Sequence, residues 1–283
     1  MSINTNTMAI SAIRMYQKNV ANMQKSMKRL SSGLRINSAA DDPSGLAISE
    51  KMRAQIRGLK QASNNTQDAI SFIDTAEGAL QQTTDILQRM RELTIKAQNT
   101  GVLSDTAKQA IDVEMTQLRD ELDRIASSAT FNTKHLLDGS ISEESPAVFQ
   151  IGPGAEDYDR ISVSIGDMSS KGLSRTGDER FTISLDTPAD TNTTLENIDY
   201  AINKVSMERA KLGATHNRLE YTMENLSTTE ENLTAAESRI RDVDFAQEYM
   251  EYVKSSMLAQ ISLAMLAQAN KQQEMILSLL QNM

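Results

Sequence analysis

Two long stretches of the sequence carry small or apolar residues at every seventh position, and this repeat constrains the fold more than any other feature. In the first stretch the repeating residues are Leu59, Thr66, Ile73, Leu80, Leu87 and Thr94, joined three positions later by Ala62, Ala69, Ala76, Thr83, Met90 and Ala97. In the second stretch they are Ile198, Val205, Leu212, Leu219, Leu226, Leu233 and Ile240. A strict seven-residue repeat is typical of helices that supercoil around one another. At ~1.5 Å per residue, the second stretch alone predicts a helix of roughly 63 Å.

A third helix is predicted over residues 104–129. Its apolar stripe is Ile111, Met115, Leu118, Leu122 and Ile125. Ser104 or Asp105 can begin this helix, because either side chain can accept a hydrogen bond from a free backbone amide. Asp42 is predicted to cap another helix, with Pro43 at its first position, where the missing N–H of proline costs nothing.

The middle of the chain changes period from seven to two. Apolar residues alternate with polar ones at Ile161, Val163 and Ile165, and again at Phe181, Ile183 and Leu185. This alternation is typical of half-buried strands. Residues 148–151 indicate a third strand, which the Gly-Pro-Gly turn at 152–154 ends. We therefore expect a β region of about 55 residues, 139–193, between two long helical arms that pair and bring the chain termini together.

Both ends of the chain are also predicted to be helical. Near the N-terminus the expected seam is Ile13, Tyr16, Val20, Met23, Met27, Leu30 and Leu34. From Phe245 onward, apolar residues occupy nearly every face of the helix around 257–267. A helix that is apolar on all sides must be buried on all sides, and a single partner helix cannot do that. The pattern predicts that neighbouring subunits cover these ends.

The charge and the cysteine content exclude several classes of function. The net charge is −9, and there is no cysteine, so disulfides and thiolate chemistry are excluded. Residues 1–60 are basic and residues 139–193 are acidic. An acidic chain without a basic stripe that includes aromatic residues is a poor nucleic-acid binder. The basic N-terminal part is best interpreted as solvated Lys and Arg beside an apolar helix face, with an anionic partner as the alternative.

The sequence shows neither a cleaved export signal nor a membrane span. The first residues lack the basic start and apolar run of a secretory signal peptide, so export would use a route that does not cleave one. The most apolar stretch, 257–269, is interrupted by Gln260, Ser262 and Gln268 and is too short to cross a bilayer. We expect no membrane insertion.

No catalytic or metal-binding pattern is present in the sequence. The two histidines, His135 and His216, are far apart, and no His-Glu-x-x-His motif occurs. The paired carboxylates at 41–42 and 230–231 fit a helix cap and a solvated helix face. We therefore expect no enzyme activity, no cofactor and no metal.

Several segments together resemble the bacterial flagellins. Residues 30–49, which contain Ser-Ala-Ala-Asp-Asp-Pro-Ser-Gly-Leu-Ala, resemble the N-terminal signature of that family. Segments that resemble its C-terminal part are 212–219, 238–244, 264–270 and 276–280. The resemblance covers about 1–155 and 194–283, nearly everything except the middle.

The resemblance implies a mainly α fold, a long antiparallel coiled-coil bundle with small β-hairpins and paired N- and C-terminal helices. Residues 1–40 and 243–283 would form an inner terminal domain, residues 41–138 and 194–242 a helical rod, and residues 139–193 a small β region at its turning point. The large outer domain common in the family would be absent. The expected function is that of a secreted subunit that polymerises into the flagellar filament for swimming motility.

The resemblance also implies partners. These are other copies of the chain, the flagellar export apparatus, a flagellin chaperone, the filament cap and the hook-junction proteins. The polymerisation interface is expected to include Ile13, Val20, Met27, Leu30, Val253, Met257, Ile261, Met265, Leu277, Leu279 and Leu280. Because the end helices cannot bury their apolar faces alone, they are expected to order only on polymerisation.

A further implication of the resemblance is recognition by a host. Residues 88–93 match the segment of flagellins that a Toll-like receptor senses, with Arg89 and Leu93 one turn apart and Glu114 as a third contact. Alternatively, Leu93 packs inside the bundle. The C-terminal leucines match those sensed by cytosolic inflammasome receptors, although this chain ends in Gln281-Asn282-Met283 where the family often has a basic residue.

Two other functions remain open at this point. A hook–filament junction protein shares the terminal helices, but the unbroken signature at 30–49 argues against it. An intracellular coiled-coil scaffold belongs to a different class, and it would not need an end helix that is apolar on every face.

Overall fold

Long helices form most of the chain. The computed structural model describes residues 6–99, 101, 103–175, 181, 183 and 188–281, except for the side chains of 188, 189 and 276–281. The helices are α1 (Thr7–Ser32), α2 (Pro43–Ala97), α3 (Asp105–Ser128), α4 (Pro188–Arg241) and α5 (Phe245–Gln281). The strands are β1 (Thr130–Phe131), β2 (Lys134–His135), β3 (Ala147–Gln150) and β4 (Arg160–Val163). The predicted mainly α class is confirmed.

The chain divides into two compact units. The terminal unit consists of Met1–Ile56 and Glu231–Met283, and the central unit is Arg57–Glu230. The sequence placed the corresponding boundaries near residues 40 and 243, and it treated 139–193 as a separate region. In the structure the described residues of 139–193 belong to the central unit.

Capping residues fix where the helices begin and end. The side chain of Asp42 accepts a hydrogen bond of 2.9 Å from the amide of Gly45 at the start of α2, and Ser104 accepts one of 3.3 Å from Ala107 at the start of α3. Both predicted caps are therefore confirmed. Gly33 ends α1 at φ 71°, where its amide donates to the carbonyl of Arg29 over 2.9 Å. Glycine adopts this left-handed conformation without the steric cost of a Cβ atom.

The seven-residue repeats form the core of the central unit. All twelve repeat positions of the first stretch, from Leu59 to Ala97, are buried. In α4 the repeat is buried from Ile198 to Leu226. Polar contacts flank this core: Arg91 forms an ion pair with Asp199 at 2.7 Å, and the ring of His216 lies 3.3 Å from the carboxylate of Asp74. Arg91 is near the end of α2 and meets Asp199 near the start of α4, whereas the earlier Asp74 meets the later His216, so the two helices run antiparallel, as predicted.

Two of the three predicted strands are present. β3 and β4 pair antiparallel, with Phe149 opposite Ile161. The ring of Phe149 lies 5.2 Å from that of Phe72 on α2, edge to face, so the hairpin packs directly onto the helical core.

The predicted strand at 181–185 is wrong for the residues that the structure describes. Phe181 and Ile183 lie in no strand, and Leu185 falls outside the described residues. Phe181 is buried in the core, and its amide donates a hydrogen bond to the loop carbonyl of Ser170 at 3.1 Å. The apolar residue at 181 therefore reflects burial in a loop and not a strand.

A short hairpin that the sequence did not predict joins β1 to β2. Its turn residues, Asn132 and Thr133, have positive φ values of 46° and 68°. Tight hairpin turns require this backbone conformation, and asparagine adopts it more readily than most residues. The sequence signal for this hairpin was one asparagine, Asn132, between Phe131 and a short polar run.

Candidate assembly interface

Small side chains hold the two terminal helices together. α1 and α5 run antiparallel, and the buried residues of their contact are Ala9, Ala12, Ser26, Ser255, Ala259, Ser262 and Ala269. Within the contact, the side-chain amide of Asn19 donates to the hydroxyl of Ser262 over 3.1 Å. Arg29 forms an ion pair with Glu248 at 3.3 Å near the other end of α1. Small residues let two helix backbones approach closely, so this contact buries only small side chains.

The N-terminal seam predicted from the sequence is partly wrong. Tyr16, Met23 and Leu30 do lie at the edge of the contact and are half-buried. Ile13 and Met27, however, are exposed. Their places in the contact are taken by the preceding residues Ala12 and Ser26, which are buried. The pattern search followed the largest apolar residues, whereas the close approach of α1 to α5 selects the smallest.

Large apolar side chains therefore remain on the outside of the terminal unit. On α1 the exposed ones are Met8, Ile10, Ile13, Met15 and Met27. On α5 they are Phe245, Tyr249, Met250, Met257, Leu258, Ile261, Leu263, Met265 and Met275. Apolar surface of this extent is unusual for a monomer and is typical of an interaction site. Of the residues predicted for polymerisation, Ile13, Met27, Met257, Ile261 and Met265 belong to this surface, while Val20, Leu30 and Val253 are half-buried.

Part of this apolar surface is concave. A groove of about 670 Å³ runs between α1 and α5, and it is lined on one side by Met8 and Met15 and on the other by Leu258, Ile261 and Met265. Ser262 and Ala269 form part of its floor. A groove with this lining matches an apolar helix or strand better than a small polar ligand.

Hydrogen bonds fix the segments next to the terminal helices. The residues after α1 pair with those before α5, through a bridge between Leu34 and Asp242. The guanidinium of Arg35 donates to the carbonyl of Ile240 over 2.6 Å, close to the end of α4. Arg241 forms an ion pair with Glu50 on α2, also at 2.6 Å. Arg35 thus satisfies carbonyl groups that the end of a helix leaves free, with its guanidinium at Ile240 and its backbone amide at Arg241.

Asp41 joins α1 to the loop that precedes α2. Its carboxylate lies 3.2 Å from the ammonium of Lys25 and accepts hydrogen bonds from the amides of Asn37 and Ser38. Burial raises the pKa of Asp41, but the hydrogen bonds from Lys25, Ser38 and Asn37 outweigh this effect and lower the pKa to about 2. The loop is thus held by a carboxylate that stays ionised.

The predicted receptor residues lie in the central unit. Arg89 on α2 bridges to Glu114 on α3 at 2.9 Å and also contacts Glu92 at 3.3 Å. The hydrogen bond to Glu114 raises the pKa of Arg89 above its ordinary value. Both residues of the Arg89–Glu114 pair keep a large exposed fraction. Leu93 is different: it is only 2% exposed and belongs to the core, as the alternative interpretation had it.

The side chains of Leu277, Leu279 and Leu280 lie outside the described part of the chain, although α5 continues to Gln281. Within the described part, no cluster of acidic or histidine side chains is arranged to hold a metal ion. The same residues contain no helical stretch with the length and hydrophobicity of a bilayer span.

Comparison with known proteins decides the family. Residues 3–142 match the family described as the bacterial flagellin N-terminal helical region, and residues 195–280 match the bacterial flagellin C-terminal helical region. The chain is 49% identical to the flagellin of Bacillus subtilis (strain 168), over 99% of this chain and 100% of that protein. The chain belongs to the flagellin family.

Other relatives agree with this assignment. This flagellin is 46% identical to the flagellar filament 33 kDa core protein of Treponema phagedenis, over 99% of this chain and all of that protein. Among solved structures, a Vibrio parahaemolyticus protein described as flagellar hook-associated has a TM-score of 0.61 at 16% identity, covering 71% of this chain and 100% of that one. That likeness shows the shared fold and does not favour the hook-junction alternative, since the sequence relatives are filament proteins.

The family fixes the general function. This flagellin is a structural subunit of the flagellar filament and not an enzyme. The expectations of a filament protein, of self-assembly and of a helical fold with small antiparallel sheets are therefore confirmed. The remaining question is how the terminal unit takes part in assembly.

Proposed function

We propose that the outer apolar surface of α1 and α5 is the contact through which this flagellin polymerises. One observation carries the proposal: the two helices meet through Ala and Ser, and they leave Met, Ile and Leu side chains in water. Burying one such side chain stabilises a contact by about 1.5–3 kcal/mol. Neighbouring copies supply the required cover, because they bring the same apolar surface.

Ordering of the terminal helices is then coupled to assembly. Fixing the backbone of each residue costs about 1–2 kcal/mol. A contact made of Ala12, Ser26 and Ser262 buries little apolar area against this cost, whereas a polymer buries the large residues as well. The end helices are therefore disordered in much of the monomer population and become ordered as each subunit joins the filament.

Terminal helices that are disordered before assembly also suit secretion. The subunit passes through the flagellar export apparatus and becomes extracellular. Before export a flagellin chaperone covers its apolar C-terminal helix, and afterwards the cap and the hook-junction proteins make contact with the same terminal helices. The acidic surface gives no reason to expect a nucleic-acid partner.

A charge substitution on the outer surface tests the polymerisation contact. Ile261→Asp places a carboxylate in the apolar groove without touching the buried residues between α1 and α5. We expect purified Ile261→Asp subunits to keep their helical content but to fail to elongate wild-type filament seeds. Val148→Asp, at an exposed position on β3 of the central unit, is the matched control. Elongation by Ile261→Asp at the wild-type rate would refute the proposal.

A second proposed role is recognition by the host Toll-like receptor that senses flagellin. The supporting observation is the exposed Arg89–Glu114 pair, which joins α2 to α3 and presents both charges on one face. Leu93, buried beneath this face, positions Arg89 rather than contacting the receptor. Because neighbouring subunits cover this face in the filament, the monomer is the active form.

Receptor signalling by purified monomers tests this second role. Arg89→Ala and Glu114→Ala are each expected to reduce signalling, while Arg124→Ala, in an exposed pair further along α3, serves as the control. Equal potency of intact filaments and monomers, or no response to either substitution, would contradict this proposal.

A further inference from the structure

Methionines are distributed unequally between the two units. The chain has 16 methionines and no cysteine. In the central unit Met90, Met115 and Met168 are fully buried. In the terminal unit Met8, Met15 and Met265 line the groove and are 66%, 60% and 63% exposed. The thioethers that an oxidant can reach are therefore concentrated on the surface proposed for polymerisation.

The chemistry of the thioether makes this distribution important. A peroxide transfers one oxygen atom to methionine: a sulfur lone pair attacks the peroxide, the O–O bond breaks, an S–O bond forms and water leaves. Sulfur is oxidised by two electrons and the peroxide is reduced by two. The product is a polar, chiral sulfoxide in place of a flexible apolar side chain. With no thiolate in the chain, exposed methionines have no more reactive sulfur beside them.

We propose that Met8, Met15 and Met265 form an oxidation-sensitive site, at which conversion to sulfoxides by peroxide stops the subunit from adding to a filament. The proposal rests on the polymerisation contact proposed above. Met8 and Met15 are seven residues apart, on the same side of α1, and face Met265 across the groove. Oxidation of the three methionines by peroxide therefore alters both walls of the groove.

The state of assembly decides the outcome of exposure to peroxide. A free subunit exposes the three sulfurs, whereas a subunit within the filament has them covered. Oxidation therefore lowers the supply of competent subunits without dissolving existing filaments. Conversion of one methionine to its sulfoxide removes the burial of one apolar side chain from the contact. This raises the critical concentration for assembly by about tenfold. Enzymatic reduction of the sulfoxides restores elongation, because it restores the original side chain.

A partition experiment on the wild-type chain tests the proposal without any variant. Monomers are treated with dilute hydrogen peroxide until they are partly oxidised, mixed with seeds and allowed to elongate. Filaments are then pelleted, and the sulfoxide at each methionine is measured by mass spectrometry in the pellet and the supernatant. We expect sulfoxides at Met8, Met15 and Met265 to be depleted at least about tenfold in the pellet. Met207, which is 65% exposed on α4 of the central unit, is the internal control and is expected to partition equally. Equal partition of all four sulfoxides overturns the proposal.

A leucine variant gives the complementary test. Leucine has a similar volume and no sulfur. The triple variant M8L/M15L/M265L is expected to lose much less elongation after peroxide treatment than the wild type, with the remaining loss due to Met27 and Met257 on the same outer surface, whereas M207L loses elongation like the wild type. Loss of elongation by the oxidised triple variant to the wild-type extent also overturns the proposal. If the untreated triple variant does not elongate, the partition experiment decides alone.

The outcome separates this proposal from the one on which it rests. If Ile261→Asp elongates normally, the polymerisation contact itself is wrong. If Ile261→Asp fails to elongate but oxidised wild-type subunits elongate at the untreated rate, only the oxidation-sensitive site is wrong.

Discussion

The central and terminal units use the same seven-residue repeat and reach opposite results. In the central unit the repeat positions from Leu59 to Ala97 and from Ile198 to Leu226 are all buried, and the large aliphatic residues among them form the core. In the terminal unit the buried positions of α1 and α5 carry Ala and Ser, and large residues such as Met8 and Ile261 are exposed. The comparison teaches that the size of the residue at each position, and not the repeat itself, decides whether a pair of helices closes a core or leaves one open for another subunit.

Removal of residues 243–283 tests the comparison most strongly. This deletion takes away α5 and with it most of the exposed apolar surface, so we expect no filament formation and no elongation of seeds. The central unit keeps its core, and circular dichroism should still show a helical protein with a cooperative thermal transition. Loss of that transition would mean that the two units do not differ in the way proposed.

A charge in the closed core should have the next largest effect. Leu219→Asp places a carboxylate at a fully buried repeat position of α4. An unpaired charge there costs on the order of 3 kcal/mol or is avoided by protonation. We expect a clear fall in the denaturant midpoint of the monomer. Leu226→Asp, at a slightly more exposed repeat position, should cost less, and Tyr221→Asp, at an exposed position, should cost almost nothing. Equal effects of the three substitutions would refute the register.

The sequence predicted the central unit better than the terminal unit, and the physical reason is the same difference in residue size. A seam of Leu, Ile and Val is visible as a pattern because each of these residues is apolar and large. Buried positions such as Ala12, Ser26 and Ser262 look like surface residues in the sequence. The neighbouring large residues Ile13 and Met27 were therefore assigned to the seam instead. Small polar residues become interpretable only when the partner helix is in place.

The strands and the residues beside them also show where prediction from the sequence fails. The strand β4 followed from alternation, since Ile161 and Val163 are buried and their neighbours are exposed, whereas its pairing with β3 became visible only in the structure. The hairpin of β1 and β2 was missed because two-residue strands carry no period, and Phe181 was misassigned because a buried loop residue can mimic the alternation of a strand. Leu93 was left open between two interpretations, since its position beside the seam does not say which helix covers it.

A pair of substitutions on α5 tests the small-residue contact directly. Ser262→Leu forces a larger side chain between α5 and α1, and overpacking of this kind costs about 1–3 kcal/mol. We expect weaker pairing of the terminal helices, seen as faster proteolysis of residues 7–32 in the monomer. The matched change Leu263→Ser alters the adjacent exposed position, so it should leave proteolysis of the monomer unchanged and raise the critical concentration for assembly. The reverse pattern would contradict the assignment of inner and outer faces.

The smallest expected effect concerns pH. The pKa of Asp41 is lowered to about 2 in the folded chain, below its usual value of about 4 when unfolded. The stabilisation is therefore complete above about pH 4 and is lost as the pH falls towards about 2. Because Lys25 is half exposed, solvent screening limits the contribution to on the order of 1 kcal/mol. Asp41→Asn should be less stable than wild type at neutral pH, and the difference should shrink in this acid range. A difference that does not change with pH would show that Asp41 is not held in this way.

Hydrogen–deuterium exchange, followed by mass spectrometry on monomers and on filaments of the same preparation, tests the central claim most directly. The closed core of the central unit predicts slow exchange for residues 69–97 and 198–219 in both states. The open surface of the terminal unit predicts fast exchange for α1 and α5 in the monomer and strong protection of both helices in the filament. Slow exchange of α1 and α5 already in the monomer, or no gain of protection on polymerisation, would contradict the account.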